Sequence, residues 1–151
     1  AISSDTFKDV WLVMAAFPEL SEDIQRIAFQ PEKSPLDAVR AFYNYIKIRK
    51  MKEAYGLLAA DFLNGTSFED WKQGYYNVLD TTALESNKVS GEENKIFVKL
   101  KSKDLVGNGI VYKYFEGTWE VRQIDGHWQL WDAEIKEVEK PGWEWFYPPG
   151  S

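Results

Sequence analysis

The residues best suited to chemistry lie in a stretch over 109–135, GIVYKYFEGTWEVRQIDGHWQLWDAEI. It reads as two antiparallel strands joined at Asp125-Gly126, a dipeptide suited to the tight type I′ turn. A two-residue loop there pairs Gln123 with Trp128, Val121 with Leu130 and Trp119 with Asp132, all six on one side. That side is the more apolar, so it should face the covering helices. Asp132 would then stand on the covered side beside an indole, a costly place for a carboxylate that lacks hydrogen bonds. Three roles fit such a residue: a structural anchor at the sheet rim, a polar group in a ligand pocket, or a catalytic acid or base.

The second chemical resource is aromatic. The chain has seven Trp and 16% aromatic residues. Trp71, Tyr75, Trp119 and Trp128 are candidates to line a concave apolar surface, with plain core filling as the alternative. Trp131, Trp143 and Trp145 read as outward or tail residues, suited to a protein partner, to a homodimer through the sheet face, or to packing over the chain's own sheet. The single histidine, His127, follows the hairpin turn directly and is expected at a wet sheet edge.

Other chemistries are excluded or unsignalled. With no cysteine, disulfides, thiolate metal sites and cysteine nucleophiles are ruled out. There is no glycine-rich phosphate loop, no GxSxG elbow and no zinc or calcium spacing, so neither cofactor nor metal is expected. A net charge of -6 argues against nucleic acid as a partner. Lys47, Arg49, Lys50 and Lys52 form one basic cluster, which reads as solvated surface.

The elements that would position these groups follow from periodicity. At 151 residues the chain has the length of one ordinary domain. Residues 1–33 read as a helical arm: Phe7, Val10, Trp11, Met14 and Phe17 recur at helical spacing up to Pro18, and a short helix over 22–29 precedes a linker. The start AISSD, without Met, suggests a trimmed or processed chain. The apolar run over 10–17 is too short to cross a bilayer, so no transmembrane segment is expected. Residues 34–151 form the main domain, opening with Ser34 as N-cap and Pro35 at the first helical position. Leu36, Val39, Phe42, Tyr43 and Ile46 make the apolar stripe of its first helix. A second helix is expected over 51–60. A third starts after Ser67 and carries Phe68, Trp71, Tyr75 and Val78. Alternation then replaces helical spacing, with strands over 81–89 and 95–103 before the hairpin and an aromatic, Pro-rich tail after it. The fold class is α+β, three N-terminal helices on a strongly curved four-stranded antiparallel sheet.

This order of elements, the opening SPLDAVRAFYNYIK, and Thr118-Trp119-Glu120-Val121 with Gly126-His127-Trp128-Gln129-Leu130 resemble the nuclear transport factor 2-like superfamily over residues 34–138. The resemblance implies a cone, in which a bent sheet wraps around a long first helix and can enclose a pocket. Many members insert a short hairpin between the second and third helices, whereas only residues 61–66 separate them here. The chain is more similar to small accessory versions, which implies a secreted or cell-envelope setting. Isomerases, dehydratases and cyclases of the superfamily use converging Asp, His and Tyr groups. Here that chemistry would fall to Asp132 as general base, with Tyr75, Tyr76 or Tyr112. The reading favoured by the residues is a non-enzymatic domain that binds an apolar small ligand in the cone or a protein partner on the sheet face. The alternative is such an enzyme.

Overall fold

The computed structural model describes residues 30–147. The helices expected over 5–29 and the last four residues of the tail lie outside the described residues. Helix α1 spans Pro35–Lys47. Its start is set by local chemistry: the Ser34 hydroxyl accepts the Asp37 N–H at 3.1 Å and donates to the Asp37 carboxylate at 2.7 Å. Val39, Phe42, Tyr43 and Ile46 are buried along its inner face. Lys47 continues that face one turn on and is buried too. Its ammonium is held by Asp80 at 3.3 Å and by the Thr82 hydroxyl at 2.7 Å. The expectation that the whole basic cluster is solvated therefore fails at Lys47.

The second helix is shorter than expected. Helix α2, Met51–Gly56, gives way to a short segment over 57–59, in which Leu57 keeps a right-handed helical turn and Ala59 is extended. This segment bonds to a strand edge instead: Ala59 N–H donates to Leu130 C=O at 2.9 Å, and Leu130 N–H to Leu57 C=O at 2.8 Å. A single turn, α3 (Ala60–Leu63), ends at Asn64 in the left-handed region. Helix α4, Phe68–Gln73, is capped by Ser67, whose hydroxyl accepts the Asp70 N–H at 3.2 Å. Tyr75 lies just past its end.

Four strands follow as an antiparallel meander in the order β1-β2-β3-β4: β1 Val78–Lys88, β2 Lys95–Val106, β3 Gly109–Ile124 and β4 His127–Glu137. Asp125 and Gly126 both take positive φ, 51° and 83°, as the type I′ turn requires. Alternation sorts the faces. Ile96, Val98, Leu100, Trp119, Val121 and Leu130 point inward and form one core with the α1 stripe. The opposite face receives the tail: in α5 (Trp143–Phe146), Trp145 and Phe146 set their rings edge-on to Tyr114 at 5.7 and 5.3 Å. Lys99 donates to the Trp145 carbonyl at 2.6 Å and lies 5.1 Å from the indole. Gly117, on the inner parity of β3, meets the β4 backbone closely; a Cβ there would stand 1.9 Å from Glu134 C=O.

The hairpin register corrects one expected pair. Gln123 faces Trp128 and Val121 faces Leu130, as the turn dictates, but Trp119 faces Ala133 and not Asp132. A β-bulge between Glu120 and Val121 leaves Trp131 as the extra residue and moves Asp132 opposite Glu120. The bulge follows the point where Leu130 turns its N–H and C=O outward to residues 57–59. One inserted residue carries Asp132 from the covered side to the exposed one.

Candidate functional site

A cavity of about 430 Å³ lies between α1, α4 and the inner face of the sheet. Its walls are mainly apolar, with aromatic rings from both sides. Phe42 meets Trp119 edge-on at 5.8 Å, Trp71 tilts against Tyr75 at 5.2 Å, and Phe62 of α3 stacks on Trp119 at 5.0 Å. Phe115, Ala133 and Ile135 complete the sheet side. Trp119 Nε1 donates to the Tyr43 hydroxyl at 2.8 Å, which ties the sheet wall to helix α1. Both buried polar tips are thereby satisfied without water.

The cavity has a polar end. The inward parity of β2 runs on past Leu100 to Ser102 and Asp104, and Lys113 comes from the neighbouring strand. The Ser102 hydroxyl donates to the Asp104 carboxylate, and Lys113 Nζ stands 3.7 Å from it. Burial pushes the Tyr75 hydroxyl up to about 12, and burial raises Tyr43 as well, against a lowering by its bond from Trp119. At neutral pH both tyrosines are neutral phenols. The arrangement can hold a flat apolar body among the rings and meet a hydroxyl, amine or carboxyl group at the Asp104–Lys113 end.

Of the residues singled out from the sequence, Trp71, Tyr75 and Trp119 come together in this lining. Trp128 points inward and packs on the core cluster without lining the cavity. Asp132 stands elsewhere, in a surface groove with Asp61, Glu120, Arg122 and Trp131. There the Arg122 guanidinium lies 4.3 Å from the Trp131 ring and 3.1 Å from the Glu120 carboxylate. Trp143 is 75% exposed, with its ring 4.4 Å from Tyr147, while Trp145 packs on the sheet. Tyr76 and Tyr112 are exposed. His127 sits at the turn, 2.9 Å from Glu32. Sequence reasoning missed Asp104, Ser102 and Lys113, although the strict alternation through Ile96, Val98 and Leu100 assigns the first two to the same face.

Among the described residues no group of three or more His, Cys, Asp or Glu could hold a metal, and no helix is long and apolar enough to cross a membrane. No protein-family model matches the sequence and no curated protein matches it, so the functional reading rests on the geometry of the cavity and its surroundings.

Proposed function

We propose that this chain is a non-enzymatic binding domain of the nuclear transport factor 2-like type, with its sheet curved into a cone that holds an apolar small molecule. The observation that carries the reading is the ring-lined cavity with one salt-bridged end. Its volume of about 430 Å³ falls inside the range of about 300–1,000 Å³ common to small-molecule sites. Apolar walls with few polar groups fix a ligand's orientation through its polar end while burial supplies the affinity. Two features favour this over the other readings. Asp132, the residue the enzymatic alternative would use as general base, faces away from the cavity. The face that would receive a protein partner is covered in part by the chain's own Trp145 and Phe146.

The test uses two neighbouring residues on opposite sides of β4. Ala133→Phe places a ring where the cavity meets the outer groove, whereas Asp132→Asn alters the groove alone. Titration with an anilinonaphthalene sulfonate dye is expected to show one site per chain, lost in Ala133→Phe and kept in Asp132→Asn. Mass spectrometry of an organic extract of the purified protein should follow the same pattern for any co-purifying molecule. Dye binding that survives Ala133→Phe, or vanishes with Asp132→Asn, would refute the cavity as the site.

A further inference from the structure

We infer that the tip of the β2–β3 hairpin is a finger that docks the chain on an anionic lipid surface. The register sets the geometry. Strand β1 pairs with β2 as far as Asp104, with a last bond from Leu105 N–H to Asn77 C=O, and β4 pairs with β3 from Phe115, with a last bond from Val138 N–H to Tyr114 C=O. Between those limits β2 and β3 run on together, through Leu105↔Ile110 and Val106↔Gly109, as a ribbon of two strands. Gly107, at φ 61°, closes it with a tight turn to Asn108.

The finger carries large apolar side chains with no core to cover them. Leu105, Val106, Ile110, Val111 and Tyr112 are each 40–55% exposed. Alternation places Leu105, Ile110 and Tyr112 on one face and Val106 and Val111 on the other. A flat protein partner would cover one face of such a ribbon. A medium that surrounds the tip covers both, and the hydrocarbon boundary of a bilayer is such a medium.

Charge points the same way. The chain as a whole is at -6, yet from Lys101 to Lys113 the hairpin has three Lys and one Asp. Among the described residues neither Lys101 nor Lys103 meets a carboxylate, and Lys101 lies 4.8 Å from the Tyr112 ring. Basic groups behind an apolar tip, with a tyrosine between them, match the order of anionic headgroup, interface and acyl chain. Depth is limited by the backbone. An open strand edge is costly in hydrocarbon, so the turn enters only as far as the acyl boundary.

Co-sedimentation with vesicles tests the inference. The whole chain should pellet with phosphatidylcholine vesicles containing about one-third phosphatidylserine, and more weakly with phosphatidylcholine alone. The double variant Val106→Ser/Ile110→Ser, at exposed positions, should keep its circular dichroism and lose at least about tenfold in partitioning. Lys101→Gln/Lys103→Gln should lose about fivefold per lysine on the anionic vesicles, an effect that salt abolishes. The inference is independent of the cavity, so Ala133→Phe should still pellet. It is overturned if wild type stays in the supernatant, or if the serine variant partitions as wild type does. Sedimentation showing a dimer that the serine variant dissolves would also overturn it, assigning the finger to self-association.

Discussion

Gly117→Ala is the sharpest test of how the cavity is built. The added Cβ would stand 1.9 Å from the Glu134 carbonyl oxygen and 2.6 Å from Ile135 Cα, both backbone atoms of the paired strand. Since Cβ contacts essentially never fall below 3.0 Å, the two strands must separate by roughly 1 Å at that point. Gly117 pairs with Ile135, so the separation strains the ladder that holds β4 to β3. Overpacking of this kind costs about 1–3 kcal/mol, and each weakened backbone hydrogen bond adds about 1 kcal/mol. A total of about 2–4 kcal/mol is expected, a drop of about 1–2 M in the urea midpoint for a domain of this size. The same shift moves Ala133 and Ile135, which line the cavity, so dye affinity should fall as well. Gly126→Ala is the control. At φ 83° with open space around it, it should cost only the left-handed strain of about 1–2 kcal/mol and leave the dye site intact. If Gly117→Ala unfolds within about 0.5 kcal/mol of wild type, the close approach of the strands is not what shapes this wall.

Two further outcomes follow from the cavity's polar groups. Trp119→Phe keeps most of the ring contact with Phe42 and Phe62 but removes the donor to Tyr43, leaving a buried hydroxyl unpaired. A loss of about 1–3 kcal/mol in urea denaturation is expected, and unchanged stability would show that water or another group replaces the bond. Tyr75 gives a pH signature: above its ordinary 10.0 the unfolded chain releases the proton, while the folded chain holds it up to about 12. The folded state thus binds more protons in that window, and stability, fully present below about pH 10, falls by roughly 2–3 kcal/mol as pH rises to about 12. Tyr75→Phe should flatten part of that alkaline slope in thermal denaturation, and an identical slope in the variant would refute the assignment.

How far the site is legible in the sequence depends on how local its determinants are. Ser34, Ser67 and Asp125-Gly126 act on their own neighbours, and each forms the cap or turn its type demands. The helical stripe was equally readable, and Lys47, four residues beyond Tyr43, belonged to it despite its charge. Parity along a strand is just as local until a bulge intervenes. The Trp131 bulge lies directly after Leu130, whose N–H and C=O bond to Leu57 and Ala59, far away in sequence. No pattern within the hairpin announces that, and counting from the turn alone pairs Trp119 with Asp132 and puts Asp132 on the covered face, where the structure has Ala133 instead. Strand β2 shows the converse. Its inward parity survives unbroken against β3 from Ile96 to Asp104, and only the change from apolar to polar at Ser102 disguised it. A polar residue that continues a buried parity has to be held by something, and here Ser102 and Lys113 hold Asp104 at the end of an aromatic cavity. Where no bulge breaks the register, the point at which a buried alternation turns polar is therefore the better sequence signal for a site than a carboxylate placed beside a tryptophan.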